Sequence, residues 1–450
     1  MINDYSKYFY SKSEDNTLHS RITIPDKHIN IAIENKEKLL KYIKEKLKEE
    51  LDFEVKTWIQ GSYKSATLIR SHKIDEKFDI DVGIYVFFNA EEEGYESHEL
   101  KALLRDILIE YSNIEIATKV EKSKSKCERV SFSKLFHIDL PLYYYDNELD
   151  KLKLATNEGW IDSDPKQLQD WFYNKVKGFS DEDKAKLKRI IRYIKIWTAL
   201  KWNNESFKIS SLAINILVYN NFINSDNEAD TFIDTVFAIN EKLQDKFEVL
   251  NPLTNENVLE FSSEQIKVSK IKWNLLSKTC ERIRKDSLTG STLWSLIFEH
   301  FFPIVIEEPK SDTVPNLPTL TNPPNISFKH LNNKGEVIFN KISNPIIAFK
   351  NERFFFQLSN QKEYSNDSKV FWIIKNQGDI ANNVNDLGHI KVLYLNDVLE
   401  EHCSYKGIHL IECQVINQYS QVEGYSSIKI NIMGLFRPKR NPSKKKYGAK

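Results

Sequence analysis

The chain has 450 residues, 41% of them hydrophobic and 12% aromatic, enough for two or more domains with sizeable cores. Its 64 basic residues balance 64 acidic ones, which excludes a uniformly basic coat for nucleic acid but not a local patch. No stretch approaches the roughly 18–20 consecutive apolar residues that span a bilayer, and the opening MINDYSKYFYSKSEDN lacks the apolar core of a signal peptide, so a cytoplasmic protein without membrane contact is expected.

Residues 25–51 carry Ile31, Ile33, Leu39, Leu40, Ile43 and Leu47 at helical spacing, which predicts a long amphipathic helix with a solvated lysine face. VKTWIQ follows as a strand and runs into Gly61-Ser62; residues 62–69 are expected to form a short helix after that turn. Phe78-Asp79-Ile80-Asp81-Val82 then opens an apolar run, GIYVFF, that reads as a strand. Side chains alternate along a strand, so Asp79 and Asp81 share a face, roughly 6–7 Å apart. Two carboxylates placed so close repel each other and lose hydration, an objection that a divalent cation removes. Residues 97–113 predict a helix, and 114–121 and 128–145 predict strands. Within the last of these, Phe136-His137-Ile138-Asp139-Leu140 offers a third carboxylate on a neighbouring strand. Helices alternating with strands over 50–145 indicate an α+β lobe.

The order of these pieces is what carries information. A Gly-Ser turn, an Asp-x-Asp pair or a buried Asp taken singly is most often a turn, a solvated pair or a hydrogen-bonded core group. In sequence, they resemble the nucleotidyltransferase superfamily of polymerase-beta type, and more narrowly the cGAS/DncV-like nucleotidyltransferases of bacteria. The resemblance implies two Mg²⁺ (or Mn²⁺) ions held by Asp79, Asp81 and Asp139, with nucleotide phosphates at Gly61 and Ser62.

Residues 147–180 are polar with embedded aromatics and are expected to be irregular. From 181 the pattern turns helical: DEDKAKLKRIIRYIKIWTALKWN, SSLAINILVYNNF, TFIDTVFAINEKLQDKF, IKVSKIKWNLLSKTCERIRKD and STLWSLIFEHFFP, interrupted by NPLTNENVLEF. A helical lobe over 165–304 follows, after a catalytic lobe over 1–164. In the family, a helix bearing Lys-x-Trp precedes one that opens with Ser. Lys195-Ile196-Trp197 and Ser211 match, and the resemblance gives Lys195 and Ser211 to the donor triphosphate. Asn251-Pro252…Asn257-Val258 and Leu296 to Pro303 extend the likeness, which covers about residues 30–304.

Residues 305–326 are polar and proline-rich, a semi-rigid linker. VIFNKI, NPIIAFK, ERFFFQL, KVFWIIKN, HIKVLYL, KGIHLIECQVIN and SSIKINIMGLF then predict a β-sandwich over 327–436, and the basic end, 437–450, a disordered tail. Phe371-Trp372…Asn376-Gln377-Gly378-Asp379 with Gly407-Ile408-His409…Glu412-Cys413 resembles the C-terminal sensor domain named for adenylyl/guanylyl cyclases and SMODS proteins. The resemblance implies a nucleotide ligand there. Leu387-Gly388-His389 stands where that domain usually has Leu-Arg-Gly, which weakens the implied sensing role. Trp372 and Phe354 to Phe356 read as sandwich core, and His137 and His409 as structural residues without clustered partners. Cys127, Cys280, Cys403 and Cys413 lack CxxC spacing and read as reduced thiols, with a Cys403–Cys413 bridge conceivable on neighbouring strands.

The expected fold is therefore α+β: a polymerase-beta-like lobe and a helical bundle, followed by a β-sandwich. The function implied by the resemblance is template-independent joining of NTPs, ATP among them, into a cyclic oligonucleotide that reaches a downstream effector in bacterial anti-phage signalling. The same three carboxylates would also serve an enzyme making a linear oligonucleotide or modifying RNA or protein. A nucleotide sensor without catalysis is the third alternative.

Overall fold

A computed structural model describes residues 5–13, 15–74, 76–88, 94–133, 135–146, 151–285, 290–304, 323–338, 345–418 and 422–434. Most of the 305–326 segment and the 437–450 tail lie outside these residues. By its contacts the chain divides into two units, Met1–Asp286 and Ser287–Lys450.

The first unit is built on a twisted sheet. Its strands are β1 (Glu54–Gln60), β2 (Phe78–Phe87), β3 (Thr118–Val120), β4 (Glu128–Phe132), β5 (Phe136–Leu140), β6 (Leu142–Asp146), β7 (Lys151–Thr156) and β8 (Gly159–Asp162). They run in the order β3-β4-β5-β2-β6-β7-β8, with β1 antiparallel to β2 along its whole length. β5 and β6 are one line of chain interrupted at Pro141, and both pair in parallel with β2. One face of this sheet is apolar: Ile80, Val82, Ile84 and Val86 of β2 alternate with polar neighbours and are fully buried. That face is covered by two helices laid down after α1 (Ser6–Phe9) and α2 (Leu18–Ile22). They are α3 (Asp26–Leu51) and, beyond the single-turn α4 (Gly61–Lys64), α5 (Ser97–Ile114). Leu39, Ile43, Leu47, Leu104 and Leu108 share one core with the strands. The opposite face carries Asp79, Asp81, Tyr85, Asp139 and Tyr143, and it holds the site described below.

Residues 147–180 depart from the irregular structure expected. They supply the β7–β8 hairpin and α6 (Pro165–Lys175). The helix has its start written in the sequence: Asp164 Oδ1 accepts from the backbone N–H groups of Lys166 and Gln167, each at 2.9 Å, and Pro165 fills the first helical position. The helices that follow are α7 (Asp181–Lys201), α8 (Ser211–Asn221), α9 (Glu228–Asp245) and α10 (Ser263–Lys285). Ser180 caps α7 through the Asp183 N–H at 3.1 Å, and three acidic residues in the first turn favour the positive end of the helix dipole. Trp197 packs edge-on against Trp202 and Trp273, locking α7 to α10.

In the second unit, α11 (Gly290–Phe298) and a single 3₁₀ turn (Glu299–Phe301) precede the strands. The strands form a five-stranded sheet and a three-stranded one. In the larger, the order is β10 (Ile346–Phe349), β16 (Val422–Met433), β15 (Gly407–Ile416), β12 (Lys369–Asn376) and β13 (Gly388–Tyr394). In the smaller it is β14 (Leu399–His402), β11 (Arg353–Leu358) and β9 (Ile326–Leu331). Trp372, Phe354 and Phe356 are buried in the core the two sheets share, as core residues should be. Of VIFNKI only Val337 and Ile338 are described, with Val337 in an isolated bridge to Leu331; residues 339–342 lie outside the described set. The first strand among the described residues, ISFKHL, was not read from the sequence, nor were β14 and the short α12 (Asp379–Asn383). All four cysteines are free thiols, so Cys403 and Cys413 are not bridged.

The outer face of the larger sheet is covered by α11. Lys375 Nζ, buried there, donates to Ser295 Oγ and Glu412 Oε1, both at 2.7 Å, while the other Glu412 oxygen has no hydrogen-bond partner among the described residues. A buried ion pair is costly to break from one side. Lys375→Ala is therefore expected to destabilise the protein by about 3–5 kcal/mol in denaturant melts, with Lys375→Met plus Glu412→Leu recovering most of that loss. A double variant as unstable as the single one would show that the pair itself holds the helix down.

Candidate active site

The three carboxylates predicted from sequence meet on the open face of the first sheet. Asp81 of β2 lies directly opposite Asp139 of β5 in the parallel register, and Asp79 lies opposite His137. Asp139 is nearly buried, Asp81 partly buried and Asp79 half-exposed. β4 adds a residue that sequence reading missed. Arg129 stands opposite Asp139 in the antiparallel β4–β5 pair. Its Nη2 donates to Asp139 Oδ2 at 2.6 Å and to Asp79 Oδ1 at 3.0 Å, so a single cationic nitrogen bridges two of the three carboxylates. Lys124 Nζ reaches Asp139 Oδ2 at 3.2 Å, and His137 Nε2 lies 3.0 Å from Asp79 Oδ1. Arg129 gave no local signal: its place follows only once ERVSF is known to pair antiparallel with FHIDL.

The charges act differently on neighbouring acids. Burial disfavours the ionised form of Asp79, but its hydrogen bond to His137 and the charges of Arg129 and Lys124 outweigh that and hold its pKa below the usual value. Asp81 has no such bonds. Burial first, then the negative charges of Asp139 and Asp79, push its pKa up to about 6. The site is thus short of positive charge at Asp81, although Arg129 and Lys124 are present.

Among the described residues no three His, Cys, Asp or Glu side chains converge as a ready metal shell. Asp79 and Asp139 turn toward Arg129 instead. The donor set nevertheless fits a hard divalent cation: three oxygen-bearing acids from adjacent strands, two already bridged by one cationic atom, and a third whose ionisation is opposed by its neighbours.

Gly61 begins the turn in a left-handed conformation, φ +62°, with its Cα against the Asp81 carboxylate; a Cβ there would lie 2.0 Å from Asp81 Oδ2. The short helix expected over 62–69 is a single turn ending at Lys64. Ser62 lines a cavity of about 270 Å³ together with Thr67, Asp79, Lys195 and Ser211. The Ser210 hydroxyl accepts from the Ala213 N–H at 3.1 Å and is used up as the helix cap, which leaves Ser211 exposed at the cavity wall. Lys195 is buried. Its Nζ donates to Thr67 Oγ1 at 2.9 Å and to Thr67 O at 3.3 Å. Burial and the nearby Arg192 charge lower its pKa to about 7, with Asp81 opposing. Of the predicted residues, the cavity gathers Ser62, Lys195, Ser211 and Asp79; Gly61, at the start of α4, and Asp81 and Asp139, on the sheet, do not line it.

This arrangement, a Gly-Ser turn beside a strand-borne Asp-x-Asp and a third Asp on the adjoining parallel strand, defines a nucleotidyltransferase. Residues 55–143 match the nucleotidyltransferase domain described as cyclic GMP-AMP synthase DncV-like, and residues 309–433 match the adenylyl/guanylyl and SMODS C-terminal sensor domain. The chain is 35% identical over 430 residues to a cyclic GMP-AMP synthase of Escherichia albertii, covering 95% of this chain and 96% of that one. Among solved structures it resembles Escherichia coli DncV in a 3'-deoxy GTP bound form, at 18% identity and TM-score 0.55 over 66% of this chain and 96% of that chain. It also resembles Vibrio cholerae DncV in complex with the linear intermediate 5' pppA(3',5')pG, at 16% identity and TM-score 0.55 over 68% and 98%. The chain belongs to the cGAS/DncV-like nucleotidyltransferase family.

Proposed function

We propose that the protein joins two nucleoside triphosphates, ATP and GTP the leading pair, into a cyclic dinucleotide. The observation that carries this reading is the strand register that sets Asp81 beside Asp139 and within reach of Asp79. The end-to-end likeness to a cyclic GMP-AMP synthase supports the product class. The reaction is attack of a ribose hydroxyl on an α-phosphate with loss of pyrophosphate, performed once between two nucleotides and once within the linear product. Asp79, Asp81 and Asp139 would hold two magnesium or manganese ions, which when bound acidify the attacking hydroxyl and offset the charge of the triphosphate. Arg129 would have to leave its two carboxylates and become available to the phosphates of the incoming nucleotide. Ser62 and Ser211, which both line the cavity, would hydrogen-bond the triphosphate, with Lys195 as a point charge.

An ammonium has three N–H donors, and Thr67 accepts from Lys195 at two atoms. Phosphate arriving at Lys195 would raise its pKa from about 7, so binding should draw a proton from solvent. Calorimetry of NTP binding near pH 7.5, in two buffers of different ionisation enthalpy, is expected to show that uptake and its loss in Lys195→Met. Identical uptake in the variant would separate Lys195 from the phosphates.

In this reading the product is a cytoplasmic second messenger for an effector in anti-phage defence, and the second unit takes a nucleotide ligand of its own. Among the described residues no helix is long and apolar enough to cross a membrane. The test is product identity: incubation with magnesium and labelled ATP and GTP, then phosphatase and mass spectrometry. A phosphatase-resistant dinucleotide supports the proposal. A ladder of linear products or of tagged RNA or protein replaces it with the linear enzyme, and unchanged substrates replace it with a nucleotide sensor.

A further inference from the structure

The segments that supply the site are joined by one amide. Gln60 is the last residue of β1 and stands opposite Asp81 in the antiparallel register, so the two side chains share the open face. It is also the residue before Gly61. Its side chain is buried and runs along β2 away from Asp81, crossing Gly83, where a Cβ would lie 2.2 Å from Gln60 Nε2. At the far end Nε2 donates to Tyr85 Oη at 2.6 Å, and Oε1 accepts from Tyr143 Oη at 3.4 Å. The two phenol rings stack with centroids 4.8 Å apart and planes within 8°. Tyr85 is on the strand of Asp79 and Asp81, and Tyr143 is on β6, which continues the strand of Asp139 past Pro141. Burial pushes both phenols up, Tyr143 to about 12, so both keep their protons.

We infer that Gln60 is a positioning residue for nucleotidyl transfer: its amide ties the Gly61 turn, the Asp79–Asp81 strand and the Asp139 strand into one fixed arrangement. It acts through Gly61, whose Cα rests on the Asp81 carboxylate and limits where those oxygens can go. Gly83 is part of the device, because any side chain there displaces the Gln60 amide. This inference rests on the carboxylate reading above and deepens it.

The experiment uses the full chain with magnesium and both triphosphates. Gln60→Leu keeps the volume of the side chain and removes both hydrogen bonds, and Tyr143→Phe removes one of them from the other side. For Gln60→Leu, kcat is expected to fall about tenfold or more with KM for each nucleotide changed less than about threefold, since a displaced carboxylate affects the reacting atoms more than binding. Tyr143→Phe should show a smaller loss of the same kind. A packing role alone would lower kcat only in proportion to the folded fraction, which circular dichroism at the assay temperature measures. Wild-type kcat in folded Gln60→Leu, a loss confined to KM, or a loss that follows the folded fraction overturns the inference. Asp81→Asn run alongside separates the two levels. If it is inactive while Gln60→Leu is normal, the positioning role alone has failed. If it is active, the carboxylate reading has failed and takes this inference with it.

Discussion

Asp81→Asn, alone or with Asp79→Asn, is expected to lower nucleotide incorporation by at least about a thousandfold while raising the melting temperature of the metal-free protein. The two effects have one cause. Asp81 carries a folded pKa raised to about 6 by burial and by the charges of Asp139 and Asp79. A carboxyl whose pKa rises on folding weakens the fold whenever it is ionised: the cost is absent below pH about 4, grows up to about pH 6 and is complete above it. At pH 7.5 a neutral amide of the same shape removes a penalty of order 2 kcal/mol, which corresponds to a few degrees. Wild type and variant should accordingly converge in stability as the pH falls to about 4. Thermal scans across pH and an incorporation assay check this together. A variant that melts lower at every pH would mark Asp81 as a structural carboxylate, and retained turnover would remove it from the reaction.

The second large effect belongs to Gly61→Ala. The backbone there is left-handed, which costs a non-glycine residue about 1–2 kcal/mol. The turn is exposed, so the fold should tolerate that cost. What it cannot accommodate is the added methyl 2.0 Å from Asp81 Oδ2, which has to displace the carboxylate from its present position. A displacement near 1 Å is enough for a loss of about a hundredfold, so kcat should fall by that order with the circular dichroism spectrum unchanged. Activity within threefold of wild type would show that Asp81 does not need its present rotamer. The paired result is informative, since one variant alters the charge of the acid and the other only its position.

The parts of this site that were legible in the sequence are those announced by local pattern. Asp79 and Asp81 stand out because two acids interrupt an otherwise apolar strand on the same face, and Asp139 because it does so within FHIDL. Arg129 was not legible, since its role depends on which strand pairs with which, and ERVSF by itself is an ordinary amphipathic strand. The same holds for Gln60, which as the end of VKTWIQ looks like the polar close of a strand, and whose partners lie 25 and 83 residues away. In the fold, the helices from 26 to 51 and from 181 to 201 follow from apolar periodicity. The β7–β8 hairpin was missed because its strands, KLKLAT and GWID, are short and sit in a polar stretch, although Lys151 to Leu154 alternate polar and apolar. Periodicity also identified the helix at 290–298 but not the core it joins, because an apolar stripe does not name its partner.

That last point decides where the chain can be divided. Trp294, Phe298, Phe301 and Phe302 are buried, and Thr292 and Ser295 hydrogen-bond to Gln414 and Lys375 of the larger sheet of the second unit. Ending the chain at residue 304, where the proline-rich stretch begins, would strip this greasy helix of the sheet to which it hydrogen-bonds. The severed sheet would in turn bare a lysine and a glutamate meant for the dark. Scission before Gly290 keeps the helix with its sheet, so that a change in turnover can be ascribed to the missing second unit rather than to a sticky stump.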